Sequence, residues 1–167
     1  MGISFRHAQP ENLDQILPIY AEARAFMRSS GNLNQWVNGY PGKEMLLEDI
    51  VRKQLYLCEE NGEILAVFCF FQGIDPTYVQ IFDGQWLNDR PYGVIHRIAV
   101  RQQGKGIAKL CYDWALERCG DLRIDTHRDN KPMQRSLARY GFTQCGIIYL
   151  ANGDERIAFH KTVMQCK

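Results

Sequence analysis

The sequence has almost no excess charge of either sign and no long apolar run. Its 167 residues include 20 lysines and arginines against 19 aspartates and glutamates, so the formal net charge is +1. Such a balance does not favour nucleic acid or an anionic membrane as a partner. The first residues lack an apolar signal core, and no stretch approaches the length of a membrane span. We therefore expect a cytoplasmic protein.

The cysteines lack the spacing of a metal or redox site. There is no C-x-x-C pair and no histidine at zinc-ligand spacing, so we expect neither a metal nor a disulfide framework. Cys69 lies in an apolar run and Cys111 on an apolar helix face, where thiols behave as small hydrophobes. All six are predicted to be reduced and mostly structural: Cys58, Cys69, Cys111, Cys119, Cys145 and Cys166.

The composition is that of an ordinary globular protein, with 46% hydrophobic and 23% charged residues. Its length fits one domain over residues 1–167, and no repeat or linker divides it. Alternating patterns predict strands at 3–8, 55–59, 63–71, 94–100, 122–126, 142–150 and 156–163. Helical periodicity predicts helices ending at Ser29, spanning 43–54, running from Gly104 to Gly120, and running from Asn130 to Gly141. The predicted order is βααβββαβαββ, a mixed α/β (α+β) fold.

The segment VIHRIAVRQQGKGIAKL contains a strand, a turn with two glycines and the start of a helix. Gly104 and Gly106 allow the backbone amides of 103–108 to point at a bound pyrophosphate, and Lys105 adds positive charge. Glycines at such a turn can equally do nothing beyond shaping it. A dinucleotide fingerprint would require glycine where Lys109 stands, and a Gly-Lys-Thr phosphate loop is absent.

The run from Arg101 to Ala108 resembles the R/Q-x-x-G-x-G/A signature of the GNAT superfamily of N-acyltransferases. Asn130 before a helix and Gly141-Phe142 after it are similar to later family landmarks, and the element order is similar over nearly the whole chain. The resemblance implies a splayed mixed sheet of about seven strands flanked by about four helices, with acetyl-CoA or another acyl-CoA held between two strands. It assigns cofactor binding to Ile98, Ala99, Val100, Gln103, Gly104, Lys105, Gly106, Ile107, Ala108 and Asn130.

His96 is the candidate general base. Period-two alternation predicts that it shares a strand face with Ile98 and Val100. It resembles the position that supplies a base in serotonin N-acetyltransferase-like members, and histidine suits that task, although a histidine on a strand can be purely structural. A backbone amide near Val100 would stabilise the oxyanion.

The general acid is harder to assign from the sequence. Leu137 stands where many family members carry a tyrosine, so the usual acid is missing. Tyr149 is an alternative, with surface packing as its simpler interpretation. His127 could approach the cofactor or cap a strand end, and the latter is the preferred interpretation.

Two irregular segments are predicted to bind the acceptor: 31–42, with Trp36 and Tyr40, and 73–93, with Tyr78 and Trp86. Aromatics accompanied by Asp75, Asp83 and Asp89 suit a cationic amine, although they could also only cover the core. The resemblance implies acetyl transfer from CoA to a primary amine of a small molecule or peptide, in a ternary complex. Alternatives are a non-catalytic acyl-CoA sensor and a structural domain without nucleotide, and a second copy of the chain is left open as a partner.

Overall fold

The computed structural model describes residues 2–163, so Cys166 lies outside the described residues. The strands are β1 (Ile3–His7), β2 (Leu55–Glu60), β3 (Glu63–Gln72), β4 (Gly93–Val100), β5 (Asp121–Thr126), β6 (Thr143–Tyr149) and β7 (Glu155–Thr162). The helices are α1 (Leu13–Ser29), α2 (Lys43–Val51), α3 (Ile107–Cys119) and α4 (Lys131–Arg139). This order confirms the one predicted from the sequence. No helix of the described residues has the length and apolarity needed to span a membrane.

The strands form one open sheet in the order β1-β2-β3-β4-β5-β7-β6. Neighbours are antiparallel except for β4 and β5, which are parallel and pair only at Gly93 with Leu122 and Val94 with Arg123. Beyond Val94 these two strands have no paired residues. The sheet therefore opens into a V between β4 and β5, and the splayed mixed sheet expected from the resemblance is confirmed.

Helices cover both faces of the sheet and create two main cores. The helices α1 and α2 bury Ile16, Ile19 and Leu46 against one face. On the opposite face α3 packs Cys111, Tyr112 and Leu116, and α4 packs Leu137, against β3 and β5. Each fully buried aliphatic or aromatic side chain stabilises the fold by about 1.5–3 kcal/mol. The two cores fix the sheet between helix layers while its V-shaped opening stays free of core packing.

Two helix boundaries differ from the predicted ones because the backbone leaves the right-handed region. Helix α2 ends at Val51, three residues early, since Lys53 has a φ of 58° before β2 begins. Helix α3 begins at Ile107 and not at Gly104, since Gly104 and Gly106 have φ values of 75° and 73°. Such left-handed residues cannot continue a right-handed helix.

The excursion between β3 and β4 is fastened to the edge strand β6. Phe82 and Ile147 exchange two backbone N–H···O bonds of 2.8 Å each. Gly84 lies so close to β6 that a Cβ built on it would stand 1.8 Å from the carbonyl oxygen of Cys145, so only glycine fits there. Segment 73–93, which the sequence left irregular, is thus firmly attached to the sheet beside the V-shaped opening.

Candidate active site

A bulge in β4 shapes the wall of the opening. Cys69 and Val67 of β3 pair with His96 and Ala99, so the single residue between them in β3 opposes two residues of β4. Arg97 in the bulge has a φ of 54°. The extra residue reverses the alternation, as a bulge must. His96 therefore lies on the face of Ala99, whereas Ile98 and Val100 pack against the core under α3 and α4.

The prediction that His96 shares a face with Ile98 and Val100 is therefore wrong. Strict period-two alternation cannot predict an inserted residue, and residues 94–100 contain no sequence signal that indicates a bulge. The imidazole lies between Phe71 of β3 and Tyr78 of segment 73–93.

Side chains from α1 and α2 hold the bulge. The hydroxyl of Tyr20 donates a hydrogen bond of 2.6 Å to the carbonyl oxygen of Arg97. The guanidinium of Arg97 donates to Asp49 at 2.7 and 3.2 Å, and to the Tyr40 hydroxyl at 3.3 Å. Burial opposes the charge on Arg97, but its neighbours Cys69, Tyr40 and Asp49 outweigh burial and raise its pKa, so it stays charged. Removing one partner of such a buried pair typically costs about 3–5 kcal/mol.

Three adjoining cavities run from the glycine turn into the opening of the sheet. The outer cavity has a volume of about 250 Å³, the middle one about 90 Å³ and the inner one about 360 Å³. Val100, Gln103 and Ala108 line both the outer and the middle cavity. Ile98 and Asn130 line both the middle and the inner cavity. The shared lining residues show that the three cavities adjoin one another, and we refer to them together as the channel.

The outer cavity is lined by the whole of turn 103–108. A Cβ built on Gly104 or Gly106 would meet no protein atom within 4 Å, so the space above the turn is open. Arg135 and Arg139 of α4, one helical turn apart, line the same cavity. Amides at a helix start together with two arginines make a site suited to a phosphate-bearing ligand.

The middle cavity is lined by Ile98, Ala99 and Val100, together with Asn130 and Tyr112. Asn130 caps α4, since its Oδ1 accepts from the Met133 amide at 3.1 Å, and its Nδ2 donates to Gln35 at 3.1 Å. The cap predicted from the sequence is confirmed, and it also ties α4 to segment 31–42.

The inner cavity contains a histidine between two carboxylates. Nε2 of His96 lies 2.7 Å from Asp75 Oδ2, and Nδ1 lies 3.9 Å from Asp125 Oδ2. Asp75 also accepts from the amide and hydroxyl of Thr77 at 2.8 and 2.7 Å. Burial alone would raise the pKa of Asp75, but the bonds from His96 and Thr77 lower it below its usual range.

An ionised Asp75 can only accept, so the proton shared with it belongs to Nε2 of His96. In the neutral form of the ring Nδ1 is then the nitrogen without a proton, and no hydrogen-bond donor of the described residues occupies it. Asp125 accepts from the Tyr78 hydroxyl at 2.6 Å, and burial followed by the Asp125 charge raises the pKa of Tyr78 well above its usual value. The site offers a basic nitrogen beside two carboxylates.

The cavities collect some of the residues proposed from the sequence and leave others outside. His96, Trp36 and Tyr40 line the inner cavity. Tyr78 is buried behind it and supports Asp125. Trp86 lines none of the three cavities, because its Nε1 donates to the Tyr78 carbonyl at 3.0 Å and its ring stacks on a buried arginine.

Two further candidates also lie outside the channel. Tyr149 is 45% exposed, packs edge-to-face on Phe82 and lines none of the three cavities. His127 accepts from the Asp129 amide at 3.0 Å, which agrees with a local capping role. Leu137, at the position of the missing tyrosine, is buried in the core.

Several lining residues were not singled out from the sequence, and four of them show the reasons. Asp125 could have been found, since it lies one residue before the end of a strand, beside the opening of the sheet. Tyr112 belongs to the apolar face of α3, where its hydroxyl approaches Met133 Sδ at 3.6 Å, and its spacing indicates only core packing. Asp154 and Arg156 follow the hairpin turn between β6 and β7, and their approach to the channel depends on the splay of the sheet.

Comparison with known proteins agrees with this architecture. The sequence profile of the acetyltransferase (GNAT) family matches residues 19–142. An acetyltransferase of the GNAT family from Streptococcus agalactiae is 32% identical, with a TM-score of 0.89 over 99% of this chain and 98% of that one. An acetyltransferase from Staphylococcus aureus is 26% identical, with a TM-score of 0.68 over 96% and 99%. A search of curated protein sequences returned no significant match.

More distant structures share the fold. The protein yncA from Salmonella typhimurium, solved with its cofactor acetyl-CoA, is 17% identical, with a TM-score of 0.63 over 99% of this chain and 96% of that one. The splayed sheet and the glycine turn at the mouth of its opening define the architecture of an acetyltransferase. The chain belongs to the GNAT family of acetyltransferases.

Proposed function

We propose that this acetyltransferase moves the acetyl group from acetyl-CoA to the nitrogen of a primary amine, in a complex that holds both substrates at once. The observation that carries the proposal is the unoccupied Nδ1 of His96 in the inner cavity, at the end of the channel that begins at the glycine turn. A base at that point meets an acceptor entering from one side and a thioester entering from the other.

The outer and middle cavities fit the cofactor. Turn 103–108, with Lys105, Arg135 and Arg139, would hold the phosphates, and Asn130 would line the path of the pantetheine arm beside β4. Backbone amides and cationic side chains would bind the phosphates of the cofactor there, and this mode of binding does not require a metal ion. Acetyl-CoA would place its thioester beside the bulge.

The chemical step follows from the inner cavity. The acceptor, which arrives as an ammonium ion, loses one proton to solvent, and its neutral nitrogen attacks the thioester carbon. Nδ1 of His96 takes the second proton from that nitrogen, and an amide of the bulge near Val100 stabilises the oxyanion. The C–N bond forms, the C–S bond breaks and the thiolate leaves with CoA. Asp75 holds Nε2–H, so that the lone pair stays on Nδ1. The carboxylates of Asp75 and Asp125 attract a cationic amine.

Turnover and binding together test this proposal. Purified protein should release the free thiol of CoA when acetyl-CoA is mixed with a broad panel of amines, and CoA should raise its melting temperature. Stabilisation by CoA without thiol release from any amine would favour the non-catalytic sensor. Absence of both would favour a structural domain.

The cofactor site has its own mutational test. Replacing Arg135 and Arg139 together by alanine should weaken CoA binding about 3–30-fold, since each removes a charge-assisted contact with phosphate. Lys131→Ala is the matched control, an exposed cation of the same helix that lines none of the three cavities. Calorimetry measures the affinity for CoA of the wild type, the double variant and the control. Equal affinity in all three proteins would mean that the phosphates bind elsewhere.

The single domain over 1–167, the cytoplasmic location and a second copy of the chain as a partner stay predictions.

A further inference from the structure

Arg156 is a buried cation on the wall of the inner cavity. Its residue is 7% exposed, and the side-chain hydrogen bond that it makes within residues 2–163 runs from Nη1 to the Glu155 carbonyl at 2.9 Å. No carboxylate of the described residues lies within 4 Å of its guanidinium. Arg97 and Arg90, by contrast, each bind a buried aspartate.

The unpaired donors of Arg156 are open to the cavity. A guanidinium has five N–H groups, so most of those on Arg156 have no acceptor in the protein. Every side-chain nitrogen of Arg156 is either hydrogen-bonded or accessible to solvent. Nε of Arg123, by contrast, is fully buried and has no hydrogen-bond partner. An unpaired charge at this depth is costly, and an anion entering the cavity would relieve that cost.

Arg156 lies on the same face of the sheet as the candidate base. Asp125 of β5 pairs with Ala158 of β7, so Arg156, two residues along β7, is the diagonal neighbour of Asp125 on that face. Diagonal neighbours have Cα atoms about 7–8 Å apart. Asp125 in turn lies 3.9 Å from His96 Nδ1. A cationic wall therefore stands a short distance from the point of amine attack.

We propose that Arg156 binds a carboxylate of the acceptor, so that the substrate is a small amino acid whose amine and carboxylate lie a few atoms apart. This inference rests on the proposed function and narrows its acceptor. The guanidinium fork matches a planar carboxylate. Asp75 and Asp125 attract the ammonium end, while Trp36 and Tyr40 line the same cavity and can cover the apolar part of the molecule.

The carboxylate is favoured over a phosphate by the charges of the cavity. Asp75, Asp125 and Asp154 line it together with Arg156, and the charge of the other lining arginine, Arg97, is already taken by Asp49. Among the described residues, a dianion would meet one free cation and three aspartates, whereas a zwitterion finds opposite charges for both of its ends. A peptide N-terminus has its nearest carboxylate replaced by an amide, so peptides fit this cavity less well than free amino acids.

Matched acceptors test the proposal. The panel contains α-, β- and γ-amino acids, the carboxamide and the decarboxylated amine of each, and aminoalkyl phosphates. Because a hydrogen bond to a charged group contributes about 1.5–3 kcal/mol, kcat/KM should be about 10–100-fold higher for one length of free amino acid than for its carboxamide. Equal values for acid and carboxamide at every length, or a preference for the phosphates, would overturn the proposal.

Variants separate a substrate contact from a structural role. In Arg156→Gln, KM for the acid should rise to that of the carboxamide, while turnover of the carboxamide stays near wild type. Arg156→Lys should keep part of the preference. Arg128→Gln, which replaces an exposed arginine also near Glu155, should leave the preference intact. Loss of turnover on acid and carboxamide alike in Arg156→Gln would count against carboxylate binding.

Binding distinguishes the failure of this inference from that of the proposed function. If no amine is acetylated, melting curves with CoA and each amino acid still report on the cavity. Stabilisation by an acid but not by its carboxamide, lost in Arg156→Gln, would support the subsite while the acetylation proposal fails. Stabilisation by neither would overturn both.

Discussion

Two histidine–aspartate pairs in this protein share their chemistry and differ in their surroundings. His96 Nε2 binds Asp75 at 2.7 Å, with side-chain exposures of 24% and 9%. His160 Nε2 binds Asp121 at 2.9 Å, with exposures of 0% and 1%. In the second pair Nδ1 is also used, since it accepts from the Leu87 amide at 3.2 Å. The first pair keeps one nitrogen free in a cavity, and the second keeps none.

The difference indicates which pair can take part in catalysis. A general base needs a lone pair that a substrate can reach, and His96 has one whereas His160 does not. Asp121 also accepts from Asn88 and Arg90, so the second pair fastens segment 73–93 to β5 and β7. An aspartate beside a histidine is thus evidence for catalysis only where the second nitrogen is open.

Exchanging each histidine for glutamine should give the largest contrast. In His96→Gln, kcat should fall about 10²–10⁴-fold because the base is lost, with the affinity for CoA nearly unchanged. In His160→Gln, kcat should stay within a few-fold, while the free energy of unfolding falls by about 1–3 kcal/mol because a buried network is broken. Steady-state kinetics, calorimetry and urea unfolding measure these values. Equal losses of turnover and CoA affinity in His96→Gln would remove it from the role of base.

Replacing each aspartate by asparagine should give the same contrast between turnover and stability, with smaller effects. The amide of Asp75→Asn can donate to Nε2 of His96 and so place the ring proton on Nδ1, which removes the reachable lone pair. We expect kcat to fall about 10–100-fold while the KM for acetyl-CoA changes little. Asp121→Asn is the control, with turnover retained and unfolding made easier. Wild-type turnover in Asp75→Asn would show that Asp75 does not set the tautomer.

The sequence predicted the order of elements because each depends on a local signal. Asn61 and Gly62 both have positive φ, as the hairpin between β2 and β3 requires, and Asn130 caps α4 as its residue type indicates. The bulge at Arg97 had no such signal, since it is held by Tyr20 and Asp49 from distant helices. The predicted strand face of His96 was wrong for that reason.

Contacts between distant segments also decided the rest of the site. Turn 103–108 was recognisable from its glycines, whereas Arg135 and Arg139 face it only because α4 packs beside α3. Arg156 approaches the channel only because β4 and β5 separate after Val94. The motif was therefore accessible to sequence analysis, and the partners that give it substrate specificity were not.

The smallest expected difference between the pairs is in the pH dependence of stability. Burial, with help from Arg123 and Arg90, lowers the pKa of His160, and Asp121 only partly opposes them. In the unfolded chain the same histidine titrates near its ordinary value of about 6.5. Below that pH the unfolded state binds a proton on this histidine and the folded state does not. The free energy of unfolding is therefore retained above about pH 6.5 and falls as the pH decreases below it.

Comparing unfolding at two pH values isolates this contribution. Between pH 7.5 and 5.5 the wild type should lose more free energy of unfolding than His160→Gln does. His127, whose pKa is also lowered by burial, is present in both proteins and cancels in the comparison. The lowered pKa values of Asp75 and Asp121 act at more acidic pH and do not enter this window. Parallel losses in the two proteins would mean that the folded state accepts the proton on His160, and that the Leu87 amide does not hold Nδ1.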